Sequence, residues 1–200
     1  NYFETYNREN VELIDLNSNP IKSITENGIL TKNKEFKFDT IIFATGFDAM
    51  TGALQAIDIT GKNGKKLKQV WKDGPKSFLG LLINGFPNLF TVTGPGSPSV
   101  LTNMMVAIEQ HVEWISNCIN FLSKSNLNEV EADELFQIEW MDHIEEVAKN
   151  TLRYTCNSWY VGANVPGKKR VFMPYAGGFG KYREKCDEIA ENNYSILRIS

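Results

Sequence analysis

From Leu101 onward the apolar residues Leu101, Met104, Met105, Ile108, Val112, Ile115, Ile119 and Leu122 recur at intervals of three and four, apart from the adjacent Met104 and Met105. That spacing predicts one long amphipathic helix with its apolar stripe in the core. Directly ahead of it stands "TVTGPGSPS", which runs an apolar strand over 89–93 into Gly94, Pro95, Gly96 and Ser97. A strand stopped by glycine and followed by a helix start places unpaired amide N–H groups and the positive end of a dipole at one bend. Such a bend favours a negative group, be it a phosphate or a ring that becomes anionic on reduction.

A second stretch has the same design. "DTIIFATGF" carries the unbroken apolar run "IIFA" within 40–44, the pattern of a strand buried on both faces of a parallel sheet, and breaks at Gly46. Ligands of open α/β sheets bind beyond the carboxyl ends of strands, so both bends are candidates for cofactor contact. Around them, 11–16 and 20–25 read as short strands, Asn27-Gly28 as a tight turn, and 79–83 as a further strand before the Gly85–Asn88 turn. The Lys-rich "ITGKNGKKLKQVW" reads as a solvated excursion with a small hairpin. Helices are expected at about 131–152 and 180–191, with a closing strand at 195–199. The Gly- and Pro-punctuated 156–178 is too long for a simple connector. The fold class implied is α/β: short strands, then parallel-sheet strands and three helices.

With 42% apolar and 22% charged residues and a net charge of −3 over 200 residues, the chain reads as a soluble globular protein. This charge offers nothing to attract nucleic acid or an anionic membrane. No apolar run approaches the roughly 18 residues of a spanning helix, and the first residues lack the order of a signal peptide, so a cytoplasmic location is expected. The chain opens without Met, in what reads as mid-structure, and is expected to be a piece of a longer protein. Cys118, Cys156 and Cys186 are odd in number and far apart, which fits reduced, partly buried packing residues. His111 and His143 have no partners at metal-ligand spacing, so no metal site is expected and both are taken as structural or solvent-facing. No nucleophile–base pair stands out, and no Gly-x-Gly-x-x-Gly follows a strand. Redox chemistry, if any, has to come from a cofactor.

Over nearly the whole chain, "DTIIFATGFDAMTGAL", "GPKSFLGLLINGFPNLFTVTGPGSPSVLTNM", "IEQHVEWI" and "SWYVGANVPGKKRVFMPYAGGF" resemble the C-terminal part of flavin-dependent Baeyer–Villiger monooxygenases of the cyclohexanone monooxygenase type. The resemblance implies a two-dinucleotide flavoprotein in which NADPH reduces FAD and an oxygen atom is inserted into a ketone to give an ester or lactone. It implies that residues 1–38 are the last strands of an NADPH-binding domain and 39–200 the C-terminal half of an FAD-binding domain. Ala44, Thr45, Gly46 and Phe47 then lie in a linker near both cofactors. Gly94, Pro95, Gly96 and Ser97, with Asn103 and Met104, border the flavin, and Leu101 and Phe172 match substrate-pocket positions. Residues 156–176 match a mobile loop in which the indole N–H of Trp159 bonds the bound nicotinamide cofactor. The catalytic groups and both dinucleotide fingerprints belong to a missing N-terminal half, so the chain alone is expected to be inactive, with self-association through unpaired strand edges. Two other readings stay open: a non-catalytic remnant or interaction domain, and a different flavin oxidoreductase such as a disulfide reductase or an amine N-oxidising monooxygenase.

Overall fold

The Asn27-Gly28 signal marks a chain reversal in the computed structural model, which describes residues 1–200. After a single helical turn, α1 (Tyr2–Thr5), the strands β1 (Ile21–Thr25), β2 (Gly28–Thr31) and β3 (Glu35–Lys37) form an antiparallel meander, with Thr25 opposite Gly28 and Ile29 opposite Phe36. Gly28 is required by close approach, because a Cβ there would lie 1.9 Å from the carbonyl oxygen of Phe36. These strands belong to the first of two units, Asn1–Thr45; the second is Gly46–Ser200. None of the buried apolar side chains belongs to the first unit.

Two expected strands in that unit are absent. Residues 11–16 are irregular, and the Val11 N–H bonds the Arg8 carbonyl in a turn. Residues 40–44 are irregular as well, with Ile42 85% and Phe43 68% exposed. An apolar run becomes a buried strand only where a neighbouring strand satisfies its backbone, and here none pairs with it.

In the second unit, α2 (Gly52–Ala56) is followed by a small hairpin, closed by the Thr60–Lys66 bridge, and by α3 (Leu67–Val70). Leu67, Trp71, Ile83 and Phe86 form a small core beneath them. The expected strands at 79–83 and 89–93 are instead a folded knot held by single bridges, Phe78 to Leu82 and Leu82 to Phe90. Left-handed backbone at Leu79 (φ 58°) and Thr93 (φ 52°) interrupts the extended conformation. The knot's residues Leu79, Leu81, Leu82 and Ile83 are nonetheless fully buried.

The helices α4 (Met104–Lys124), α5 (Glu134–Lys149), the one-turn α6 (Leu152–Thr155) and α7 (Phe179–Glu191) complete the unit. A two-residue antiparallel ladder joins β4 (Val130–Glu131) to β5 (Arg198–Ile199). Both sheets are antiparallel, so the expected parallel sheet is not formed within this chain. The predicted start of α5 at residue 131 is corrected to 134, because Val130 and Glu131 are taken up by the ladder and Asp133 caps the helix by accepting from Leu135 N at 2.9 Å. Replacing Asp133 with alanine is expected to lower stability by about 1 kcal/mol in urea unfolding.

The buried face of α4 also differs from expectation. Ala107, Gln110, His111, Trp114, Cys118 and Leu122 point inward, while Met105, Val112 and Ile119 are exposed. His111 takes the inner face because both ring nitrogens find partners there, whereas Gln110 Oε1 is buried without one. The Trp114 indole, on the same face, donates to the Cys186 carbonyl at 2.9 Å. Cys118 and Cys186 are buried, and burial pushes both thiols up to about 12. Cys156, expected to be partly buried, is exposed.

Candidate functional site

Four separate stretches of the second unit meet around a cavity of about 440 Å³. Ala49, Met50 and Leu54 line one side, Phe90 to Gly94 a second, Ser99, Val100 and Met104 a third, and Trp159 the last. The walls are mostly apolar, which suits a flat ring system.

The Thr93 wall is braced from behind by a buried network. The Thr93 N–H donates to His111 Nδ1 at 2.9 Å, so the proton of the neutral imidazole sits on Nε2 and points at Tyr182 Oη, 3.0 Å away. The Tyr182 hydroxyl in turn donates to the Leu79 carbonyl at 2.8 Å. Every proton in this chain of bonds has a partner, and a second proton on His111 would face the Thr93 N–H. Burial holds the His111 pKa down at about 4. His111 is structural in placement, whereas His143 is solvent-facing on α5 with Nε2 3.3 Å from Tyr175 Oη.

The glycine bend at 94–97 is closed by the protein itself. Gly94, Pro95, Gly96 and Ser97 are all buried, and only Gly94 lines the cavity. A Cβ on Gly94 would lie 2.5 Å from both the Gly80 carbonyl oxygen and Thr91 Oγ1, and one on Gly96 would lie 2.6 Å from Ser77 Oγ. Glycine is therefore demanded here by backbone packing, where the sequence left ligand approach open. The helix start is also less open than expected. Asn103 Oδ1 accepts from Met105 N at 3.0 Å and Val106 N at 3.4 Å, so two of the amides expected to be unpaired are already satisfied.

The other expected positions scatter. Ala44 and Thr45 end the first unit, Gly46 and Phe47 begin the second, and all four are exposed away from the cavity lining. Gly46 adopts φ 79°, which accounts for glycine at the bend. Leu101, in the short 3-10 turn Ser99–Leu101, packs partly buried on the main core, and Phe172 is buried within it. Neither lines the cavity. Trp159 does, with its ring stacked on Tyr160 at 4.3 Å. Trp71, Trp114 and Trp140 each donate their indole N–H to a backbone carbonyl, whereas that of Trp159 has no partner within the chain.

Comparison with known proteins shows what the chain is similar to. No protein-family model matches the chain. Cyclohexanone 1,2-monooxygenase of Acinetobacter sp is 43% identical over 199 residues, a match that takes in 99% of this chain and 36% of that enzyme. A Baeyer–Villiger monooxygenase of Pseudooceanicola batsensis is 39% identical over 198 residues, 98% of this chain and 36% of that enzyme. The chain is homologous to the Baeyer–Villiger monooxygenases. A solved structure, that of OTEMO in complex with FAD and NADP, superposes with a TM-score of 0.91 at 36% identity, covering all of this chain and 37% of that one. Another relative, phenazine N-monooxygenase PhzNO1 of Lysobacter antibioticus, is 39% identical over 194 residues, 96% of this chain and 36% of that protein. The chain thus spans little more than a third of the length of the monooxygenases it matches.

Sequence reasoning missed several residues that shape the site. Asp48, Thr51, Asn164 and Lys168 tie the 156–176 loop to the bend after Gly46. Asp48 lies one residue beyond the Ala-Thr-Gly-Phe stretch, and Lys168 sits in a basic run that reads as solvated. A larger groove of about 880 Å³, lined by residues of α5 and α7 such as Phe136, His143 and Lys181, contains none of the expected site residues. No helix is long and apolar enough to cross a membrane.

Proposed function

We propose that this chain is the C-terminal part of an FAD- and NADPH-dependent monooxygenase that inserts oxygen into ketones, and that the cavity beside Trp159 receives the cofactors. The observation that carries the reading is the unpaired indole N–H at a mostly apolar cavity whose remaining walls include Ala49, Met50, Gly94 and Met104. A half-buried indole N–H without an acceptor in the chain is free to bond a ligand seated in the cavity. When bound, the flavin supplies the oxygen-transfer chemistry and the nicotinamide supplies the reducing equivalents. The chain's own residues hold and shield. Gly94 and Met104 border the ring system, Trp159 bonds the nicotinamide cofactor, and the 156–176 loop excludes water. In this reading residues 1–38 are the last strands of the nicotinamide domain and 39–200 the remainder of the flavin domain. Ala44, Thr45, Gly46 and Phe47 link the two. Pro95, Gly96, Ser97 and Asn103 support the flavin side, and Leu101 and Phe172 shape the ketone pocket from behind.

The match to a protein named as a phenazine N-monooxygenase favours a second substrate class, an aromatic nitrogen. One chimera separates the two. The chain replaces the 199-residue stretch it matches in the Acinetobacter enzyme, and NADPH consumption is followed with cyclohexanone or phenazine. Ketone-dependent consumption with a lactone product is expected. Consumption with phenazine alone would overturn the ketone reading. In the same chimera Trp159→Phe keeps the ring and deletes the N–H, and is expected to weaken NADP+ binding by about tenfold, the worth of one hydrogen bond. Unchanged affinity would remove Trp159 from the site. The 200-residue chain alone is expected to carry no flavin; a stoichiometric flavin absorbance would contradict that.

A further inference from the structure

The loop that carries Trp159 is held at two levels. At its neck, Val171 N–H bonds the Val161 carbonyl at 3.3 Å and Met173 N–H the Tyr160 carbonyl at 3.0 Å. The chain leaving the neck is stitched to the glycine bend, with Gly96 N–H on the Met173 carbonyl at 2.7 Å and Tyr175 N–H on the Ser97 carbonyl at 2.8 Å. These backbone bonds fix the neck whatever side chains the tip carries. Beyond it, 162–168 turns through left-handed Gly162 (φ 72°) and Gly167 (φ 77°), and its contacts to the bend are made by side chains.

Three such contacts reach across more than a hundred residues of sequence. Asn164 Nδ2 donates to the Phe47 carbonyl at 2.8 Å, and the Lys168 ammonium donates to the Asp48 carboxylate and, at 2.6 Å, to Thr51 Oγ1. Exposed ion pairs contribute little because water competes for both partners. Lys168 differs from every other paired cation in the chain. Its side chain is 17% exposed, against 40% or more for the others. Its stem packs along Gly162, where a Cβ would come within 3.1 Å of Lys168 Cδ, and its Thr51 acceptor is buried. The bend it grips supplies Ala49 and Met50 to the cavity that Trp159 closes.

We propose that Lys168, Asp48 and Asn164 are positioning residues: they dock the tip of the loop onto the bend after Gly46 and thereby set how Trp159 is presented to the cavity. The purpose rests on the reading of Trp159 given above, while the docking itself is read without any ligand. Asp48 is the pivot. Its carboxylate gathers Lys168 and lies 3.5 Å from Thr51 Oγ1, so the bend and the loop share one charged contact.

The test uses the chain with Lys168→Met, which keeps the stem and deletes the charge. Acrylamide quenching of Trp159, isolated by subtracting the Trp159→Phe variant, is expected to rise at least threefold. Tryptic cleavage at Lys169 and Arg170 is expected to accelerate about tenfold, with the urea midpoint of global unfolding unchanged. Lys168→Arg, which can still pair with Asp48, is expected to return both readouts towards those of the parent. Asn164→Ala, at an exposed side chain, is expected to loosen the loop less. Quenching and cleavage unchanged in Lys168→Met would overturn the proposal, and so would loss of its global transition, since the pair would then hold the fold and not the loop. Neither readout involves a cofactor, so a failure here leaves the cavity's assignment standing, and unchanged NADP+ binding in Trp159→Phe leaves the docking standing.

Discussion

Gly94→Ala is expected to destabilise the Gly46–Ser200 unit by about 3 kcal/mol or more, at the upper end of what overpacking costs. The added methyl would stand 2.5 Å from the Gly80 carbonyl oxygen and 2.5 Å from Thr91 Oγ1. Neither neighbour can move aside. Gly80 is itself left-handed at φ 70°, with its own Cβ position 2.5 Å from Ser97 N, and Thr91 Oγ1 donates to the same Gly80 carbonyl at 2.7 Å. Urea unfolding followed by circular dichroism measures the loss. Gly180→Ala is the matched control: it lies within α7 with nothing within 4 Å of where the added methyl would stand, and alanine there is expected to be neutral or stabilising by up to about 1 kcal/mol. Equal stability of parent and Gly94→Ala would show that the bend is open, and would restore the ligand-approach explanation of this glycine.

The second large effect is a dependence on pH. Burial lowers the His111 pKa from 6.5 to about 4, because the folded state offers the imidazolium no partner at Nδ1. Below pH 6.5 the unfolded chain takes up a proton that the folded chain refuses until about pH 4, so unfolding is favoured progressively across that interval. The contribution is fully present above pH 6.5 and is lost as the pH falls towards 4. At about 1.4 kcal/mol for each unit between 6.5 and 4, the loss amounts to about 3 kcal/mol. Stability curves of the parent and His111→Gln, measured from pH 7 to pH 4, are expected to converge as the pH falls. Parallel curves would mean that His111 does not carry the dependence.

What could be read from the sequence depended on where each pattern finds its partner. The α4 periodicity is local, and the helix formed as the spacing indicated from Met104 onward, with Leu101 left in the preceding 3-10 turn. Its inward face was misread because aliphatic residues were counted and His111 and Gln110 were not, although hydrogen bonds make a buried imidazole tolerable. Asn27-Gly28 turned the chain as expected, since a hairpin turn needs nothing distant. The run at 40–44 has strand composition but no strand beside it in this chain, and backbone pairing cannot be inferred from one segment. Site reading followed the same rule. Gly94 was singled out by its strand-glycine-helix pattern and Trp159 through the resemblance, and both line the cavity, but Lys168 and Asp48, 120 residues apart, acquire meaning only once the fold brings them together. The glycines of "TVTGPGSP" were legible as a bend, and only the neighbouring atoms reveal that Gly80 and Thr91 are what they avoid.

The stitching of Met173 and Tyr175 onto Gly96 and Ser97 also orders events in time. The helices α4 and α5 are local structures that can form as soon as they leave the ribosome, whereas the glycine bend gains these partners only when residues 173–175 have been synthesised. The hydroxyl that steadies His111 arrives later still, on Tyr182. Until then the cavity walls at 90–94 and 99–104 exist without their brace, and the nascent chain must keep that apolar knot from aggregating while it waits for residues 173–182.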